Sequence, residues 1–385
     1  MNAPGDRLRR AVRRVHLWLG LSLGGLFVLL GLTGSILAFY PEIDTLLNPE
    51  IALEGEGTPD WNRALATVRT AFPDKQGPWR FELTGQPGAI PARYYDPPER
   101  AGHAFAPMMV WLSPDGEKVL RRDYWGEYAM TFVYDLHYRL LLGTTGGAVL
   151  GWTSFALIAL LLTGLWAWWP RGSWAKALRI KTGAARQRAL RDWHKTAGLS
   201  GLVFLLILTI TGIMLELPAE SDVALTTVGL PVEPAPNVAG PATGGSNLIP
   251  VSRAVEVAHQ ALPGARLAWI ETPPAAGGLY RMRMQVPGDP SYRFPHSYVW
   301  IDARSASVAG LTDARRAPAG TIVNNWLHPL HDGSAGGLTG RILIVLAGLA
   351  PLALFVTGWL RWRTCRQGRA VPAKRRRSVR SVEGA

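Results

Sequence analysis

The sequence predicts an α-helical membrane protein, with four transmembrane helices in two parallel repeats and two α+β modules on one side of the membrane. Three observations lead to this fold class: four long uncharged apolar runs, basic residues on alternate sides of these runs, and matches at constant offset between the two halves of the chain. The 385 residues include one cysteine, Cys365. A disulfide framework, a Cys-rich zinc site and covalent c-type haem are therefore excluded.

The apolar runs set the number of spans. Crossing a hydrocarbon core of roughly 30 Å takes about 20 apolar residues of helix. The first run is too long for the core of a secretory signal, and Tyr40-Pro41-Glu42 is a poor cleavage site, so it is interpreted as a span. The four runs are Leu17–Tyr40 (24 residues), Leu140–Pro170 (31), Thr196–Leu215 (20) and Ile342–Leu360 (19).

The distribution of charge indicates on which side of the membrane each span ends. The net charge of +13 resembles a nucleic-acid footprint, but residues 1–16, 170–195 and 361–385 hold 22 of the 41 Lys/Arg and only three of the 28 acids. This alternation is the positive-inside pattern, and it explains the basic run 374–377 without nucleic acid. We therefore expect both termini in the cytoplasm, with two large loops on the other side of the membrane.

The predicted segments follow from these boundaries. They are a cytoplasmic N-terminal tail (1–16), the first span (17–40), an outer module (41–147), the second span (148–169), a cytoplasmic loop (170–195), the third span (196–217), a second outer module (218–338), the fourth span (339–360) and a basic cytoplasmic tail (361–385).

An internal repeat relates the halves. The motif His-x3-Gly-Leu-Ser begins at His16 and again at His194, an offset of 178. At an offset of 194, His137 matches His331 and Thr163-Gly164 matches Thr357-Gly358. Such a pattern predicts two copies of one unit related by a pseudo-two-fold axis along the membrane normal.

Each outer loop has an α+β pattern. Residues 61–72 and 252–264 are typical of amphipathic helices, and the Pro/Gly-rich segment 220–250 is interpreted as a linker. Alternating apolar stretches after each helix predict strands. These are Trp79–Leu83, Ala92–Tyr95, Met108–Leu112, Lys118–Arg122, Arg266–Ile270, Leu279–Val286 and Ser297–Asp302.

Four histidines occupy repeat-equivalent positions beside the bilayer, where an ionisable side chain is costly and points to function. Imidazole is the usual ligand of b-type haem, and helical bundles build cofactor sites from facing helices. If the halves pack face to face, His16 meets His194 and His137 meets His331, so each pair would hold one haem iron. His328 is an alternative ligand to His331, or a contact to a propionate.

Other polar residues have less specific interpretations. Arg139 and Arg341 lie by the outer histidine pair, and pairing with propionates or anchoring at the bilayer edge explains them equally well. His103, His259 and His296 are expected to be surface residues of the outer modules.

The chain resembles the PepSY-associated transmembrane family, the PiuB-like iron-regulated membrane proteins, and is most similar to FoxB-type ferric-siderophore reductases. The outer modules look like PepSY domains, although the closing strand lacks the family's usual Gly after Asp302. The resemblance implies two non-covalent, bis-histidine b-type haems, with His16, His194, His137 and His331 as ligands. It also implies a location in the bacterial inner membrane, with both outer modules in the periplasm, and reduction of siderophore-bound iron at the periplasmic face. It rests on segments Arg13–Gly20, Trp193–Gly198, Asp135–Gly143 and Leu327–Gly337.

The function expected from these features is haem-dependent electron transfer to a ferric siderophore at the periplasmic face. The cytoplasmic segments are too short for a nucleotide-binding domain, so the electron donor is a quinol or a separate reductase. Two alternatives are a non-redox PepSY scaffold in the membrane and a haem or siderophore permease. Uncharged span interiors argue against a permease.

Overall fold

The computed structural model describes residues 4–52, 59–85, 88–103, 105–170, 172–234, 236–238 and 247–370. The predicted basic run 374–377 lies outside this part of the chain. The α-helices are α1 (Pro4–Leu37), α2 (Tyr40–Leu47), α3 (Trp61–Ala71), α4 (Ala129–Arg139), α5 (Gly143–Trp168), α6 (Trp174–Leu178), α7 (Arg186–Glu216), α8 (Pro218–Thr227), α9 (Val251–Ala261), α10 (Ala319–His331) and α11 (Gly337–Ala370).

Four of these helices, α1, α5, α7 and α11, are long and apolar enough to cross a membrane, among the residues that the structure describes. Helices α7 and α11 contain their predicted runs and extend beyond them. Helix α1 ends at Leu37, before the predicted end at Tyr40, and α5 lies within the run Leu140–Pro170. Helix α1 begins at Pro4, within the predicted N-terminal tail, and α7 begins at Arg186, within the predicted cytoplasmic loop. Polar residues thus continue the helices past the apolar runs.

The chain forms two compact units. The first, here the helical unit, comprises Met1–Ser35, Trp152–Ile210 and Leu343–Ala385. The second, here the sheet unit, comprises Ile36–Gly151 and Thr211–Ile342.

Small residues bring helices close together in the helical unit. A Cβ at Gly31 would collide with the backbone carbonyl of Gly348, and a Cβ at Gly201 would lie 3.2 Å from Cβ of Ala350. Close backbone approach at small residues is the usual basis of packing between membrane helices. Here α1 and α7 therefore both pack against α11.

One antiparallel eight-stranded sheet forms the centre of the sheet unit, in the order β4-β3-β2-β1-β5-β6-β7-β8. The predicted loops each contribute four consecutive strands, and β1 pairs with β5 to join them. The strands are β1 (Trp79–Glu82), β2 (Ile90–Tyr94), β3 (Met108–Leu112), β4 (Val119–Tyr124), β5 (Arg266–Glu271), β6 (Leu279–Gln285), β7 (Ser297–Asp302) and β8 (Val308–Thr312).

The two faces of this sheet differ in chemistry. In β1, Trp79 and Phe81 are fully buried in a core shared with α3 and α9, while Arg80 and Glu82 alternate onto the opposite face. Helix α3 begins where the Asp60 carboxylate accepts bonds from the backbone N–H groups of Asn62 and Arg63. One apolar face thus holds the helices, and the other is left for polar side chains.

The structure corrects two sequence-based interpretations. Residues 218–227 form helix α8 rather than linker, because Pro218 lies in the first turn, where a missing N–H costs nothing, and helix-compatible residues follow. Strand β8 was not predicted. Its residues, Val308–Thr312, are mostly exposed and include Gly310, so they lack the pattern of a half-buried strand.

Sharp turns separate α4 from α5 and α10 from α11. Leu140 and Leu141 have φ values of 51° and 59°, which ends α4 directly after Arg139. A Cβ at Gly146 would collide with the carbonyl of Arg139, and one at Gly340 with the carbonyl of Gly333. Glycine at these repeat-equivalent positions lets each short helix fold back tightly on the helix that follows it.

Candidate functional site

The helical unit brings together His16 of α1 and His194 of α7. Their ring centroids are 6.2 Å apart and the rings are nearly perpendicular, at 83°. Both rings are half-buried. The pair predicted from the repeat is thus formed.

Equivalent groups orient these two rings. His16 Nδ1 lies 3.1 Å from the Leu160 carbonyl, and His194 Nδ1 lies 3.0 Å from the Leu354 carbonyl. A carbonyl oxygen only accepts, so Nδ1 donates in each case and the lone pair of the neutral ring lies on Nε2. This is the tautomer that binds metal through Nε2, with the other nitrogen fixed by an outer hydrogen bond.

Threonine hydroxyls reinforce the same orientation. Thr357 Oγ1 is 3.0 Å from His194 Nδ1, and Thr163 Oγ1 is 3.4 Å from His16 Nδ1. Each threonine precedes a glycine that gives the ring room. A Cβ at Gly164 would lie 2.8 Å from Cε1 of His16, and one at Gly358 would lie 3.3 Å from Cε1 of His194. In the repeat, the threonine of the Thr-Gly motif therefore orients a histidine ring, and the glycine leaves space for that ring.

The sheet unit brings together His137 of α4 and His331 of α10. Their centroids are 6.1 Å apart, with an angle of 58° between the rings. Thr211 Oγ1 lies 2.9 Å from His331 Nδ1, and a Cβ at Gly212 would lie 3.3 Å from its Cε1. A Thr-Gly pair, here on α7, again orients a histidine ring and leaves space for it.

Both separations match two imidazoles on opposite sides of one metal ion. A metal–nitrogen bond of about 2.0–2.1 Å on each side, with roughly 1.1 Å from each nitrogen to its ring centroid, places the centroids about 6.3 Å apart. Within the described residues no group of three or more His, Cys, Asp or Glu side chains is placed to hold a metal. Two imidazoles at this separation are a donor set that the iron of a b-type haem accepts.

The other predicted residues have different partners. His328 stacks against Phe294, with centroids 5.1 Å apart, and burial together with nearby His331 lowers its pKa to about 4. It is therefore neutral at pH 7. His103 and His259 are exposed, as expected, and His296 is hydrogen-bonded to Asp289.

The two candidate propionate arginines are placed differently from each other. Arg341 donates to the Ala38 carbonyl and to the Glu42 carboxylate, both at 2.7 Å. The Arg139 guanidinium lies over the ring of Tyr138, at 4.4 Å from its centroid. Arg341 thus interacts with residues that follow α1, whereas Arg139 contacts a residue of its own helix.

Sequence reasoning missed a cluster of arginines on the polar face of the sheet. We call Arg80, Arg93, Arg283 and Arg293, with Glu82, the cationic face. Arg80 stacks on Trp269, with Cζ 3.8 Å from the ring centroid, and Arg283 lies over the same ring at 4.2 Å. The available signal in the sequence was the placement of arginines at alternate positions of the predicted strands.

The model of one family, described as the PepSY-associated TM region, matches residues 13–364, which is most of the chain. The chain belongs to this family. No curated protein sequence matches it. With four apolar helices and an α+β region, this PepSY-associated TM protein is a multi-pass membrane protein.

Proposed function

We propose that this protein is a di-haem electron-transfer protein of the bacterial inner membrane that reduces ferric-siderophore iron at the periplasmic face. The observation that carries the proposal is the pair of His–His separations, 6.2 Å and 6.1 Å, each suited to one six-coordinate iron. When bound, haem iron supplies reversible one-electron transfer.

The chain's own residues account for the type of chemistry. His16 and His194 would hold one haem iron between them, and His137 and His331 would hold a second. A haem held by two histidines would supply one-electron transfer rather than activation of a bound ligand. The Leu160 and Leu354 carbonyls, by accepting from Nδ1, hold the rings of the first pair in the ligating tautomer.

The direction of transfer comes from the charge pattern. Basic residues flank the ends that carry His16 and His194, which favours a cytoplasmic location for that pair and a periplasmic one for His137 and His331. Electrons would enter from a quinol or a separate reductase and leave to the chelate. Iron is then released because oxygen-rich siderophores hold ferrous iron far less well than ferric iron.

A visible spectrum tests the haem content. The purified protein should show a bis-histidine b-type spectrum that sharpens on reduction with dithionite, with two haems per chain. A colourless, folded protein would support the scaffold function instead.

Reoxidation tests the reductase activity. We expect the dithionite-reduced protein, freed of excess reductant, to reoxidise when mixed anaerobically with a ferric trihydroxamate chelate. The gallium(III) chelate is the matched control, because it has the same shape and charge but accepts no electron. Equal, slow reoxidation with both chelates would contradict ferric-chelate reduction.

Cys365 provides a test of topology, since it is the only cysteine and is exposed. In spheroplasts an impermeant maleimide should leave it unlabelled, while a permeant maleimide should label it. Ser305→Cys in a Cys365→Ser background should label with both reagents. The reverse pattern would invert the proposed orientation.

A further inference from the structure

The cationic face holds more positive than negative charge. Arg80 pairs with Glu82, and Arg93 Nη2 lies 3.6 Å from the same carboxylate. Burial raises the pKa of Glu82, but Arg80, Arg93 and Arg293 together lower it to about 2. Three guanidinium groups therefore share one carboxylate.

The excess charge is buried, which makes it costly. The Arg80 and Arg93 side chains are 4% and 10% exposed, and the Nε atom of each is buried without a hydrogen-bond partner. A buried cation without a matching anion costs several kcal/mol. Aromatic rings at Trp269 and Trp125 offset part of this cost through cation–π contact. The remaining imbalance calls for an anionic ligand.

The face lies against the helices that carry His137 and His331. Arg93 lies over the ring of Trp125, which contacts the ring of Tyr134, one turn before His137 on α4. Phe294, the residue after Arg293, stacks on His328, one turn before His331 on α10. The positive charge is thus adjacent to this histidine pair.

Arg293 is the arginine available for a ligand. Its Cζ is 5.2 Å from the Tyr40 ring centroid and 5.3 Å from that of Phe294, and its charge interacts with the Glu82 carboxylate, yet the residue is exposed. Arg283 donates to the carbonyls of Phe294 and Pro295 and so fixes the loop that presents Arg293. The geometry is that of a positioned cation rather than a mobile surface residue.

We propose that Arg293, supported by Arg93 and Arg80, binds the carboxylates of the porphyrin held by His137 and His331, and that this raises the reduction potential of that iron. The inference rests on the proposed function. Positive charge near the iron favours the ferrous form, which has one positive charge fewer. Electrons would thereby be drawn towards the His137–His331 pair.

Redox titration of the haem bands tests this. The background is His16→Ala, which keeps only the His137–His331 pair. Arg293→Gln should shift the ferric/ferrous equilibrium at least tenfold towards ferric, a potential lower by about 59 mV. Arg293→Lys, which retains the charge, should shift it less. Arg253→Gln is the matched control, since Arg253 is an exposed arginine of α9 that pairs with Glu256.

Reconstitution identifies the anion. With haem dimethyl ester, which has no carboxylates, the difference in haem dissociation rate between native and Arg293→Gln protein should shrink at least threefold. A difference of the same size with both haems would show that Arg293 does not bind the porphyrin carboxylates, and an unchanged potential in Arg293→Gln would overturn the whole inference. Loss of bound haem from Arg293→Gln alone, with haem retained in Arg293→Lys and Arg253→Gln, would support it. A protein without haem in its native form would instead refute the proposed function itself.

Discussion

The His16–His194 pair lies between apolar helices, whereas the His137–His331 pair lies beside the cationic face. Their ring separations differ by only 0.1 Å, and Thr-Gly motifs seat a histidine in each. Around His16 and His194 the structure places backbone carbonyls and glycines, and Arg361 acts electrostatically on His194. Beside the helices of His137 and His331 it places Tyr134, Phe294 and the cationic face. The same ring separation is therefore combined with different surroundings, and the two proposed haem centres would differ in potential for that reason.

The largest expected effect comes from removing ligands. His194→Ala and His331→Ala should each lose one of two haem equivalents, as measured by the pyridine haemochrome assay against protein concentration. His328→Ala should retain both, because its ring stacks on Phe294 while the ring of His331 faces His137. His103→Ala, an exposed histidine, is the control. If His328→Ala lost a haem and His331→Ala did not, the ligand assignment would move to His328.

Glu82→Gln tests how far the cationic face depends on its one shared carboxylate. The substitution leaves Arg80 and Arg93 buried without their partner, so we expect a destabilisation of about 3–5 kcal/mol, measured by denaturant unfolding in detergent. Glu256→Gln removes an exposed ion pair and should cost less than about 1 kcal/mol. Equal stability of the two variants would show that the face tolerates its charge without Glu82.

The same carboxylate predicts a pH dependence. The pKa of Glu82 is about 2 when folded, against an ordinary value of 4.5. A lowered folded-state pKa stabilises the protein above pH 4.5, and this contribution is lost as the pH falls from 4.5 towards 2. The Glu82→Gln variant should lose less stability than the native protein over this range. If stability fell equally with pH in the native protein and in Glu82→Gln, Glu82 would be ruled out as the source of the pH dependence.

A smaller effect is expected from filling the space beside one histidine. Gly164→Ala forces a Cβ to within 2.8 Å of the His16 ring, and we expect a cost of about 1–3 kcal/mol in haem binding to the His16–His194 pair. At Gly358 the equivalent distance is 3.3 Å, so Gly358→Ala should cost less. Gly25, where nothing lies within 4 Å, is the control. Haem transfer to apomyoglobin would measure the difference, and equal rates for all three variants would contradict it.

The smallest effect concerns the outer hydrogen bonds. Thr357→Val removes a hydroxyl 3.0 Å from His194 Nδ1, but the Leu354 carbonyl remains, so we expect haem affinity to fall about tenfold or less. Thr163→Val should have a weaker effect, because its hydroxyl is 3.4 Å from His16. The ratio of haem dissociation rates would test this order. If Thr163→Val had a larger effect than Thr357→Val, the two rings would differ in how strongly the carbonyls, rather than the hydroxyls, hold them.

The spans, most strands and the histidine pairing were predictable, because each depends on a periodic or repeated pattern. Met108–Leu112 and Ser297–Asp302 form strands with the predicted bounds. The β1–β5 pairing was not predictable, since nothing in either strand specifies a partner almost 190 residues away. The cationic face was missed for a related reason. Arg80, Arg93 and Arg283 are unexceptional in their own strands, and only the sheet order places them together.

That β1–β5 pairing has a consequence for biosynthesis. Arg80 lies opposite Glu271 in the β1–β5 register, and between them the chain includes two long apolar helices that must enter the bilayer. At about 5–20 residues per second, synthesis of the chain between β1 and β5 takes roughly 10–40 s, and during this time β1 has no β5 to pair with. During that interval one edge of the nascent four-stranded half is open to foreign strands. Export of this protein should therefore depend on a holding chaperone more strongly than that of a chain whose two halves close separately.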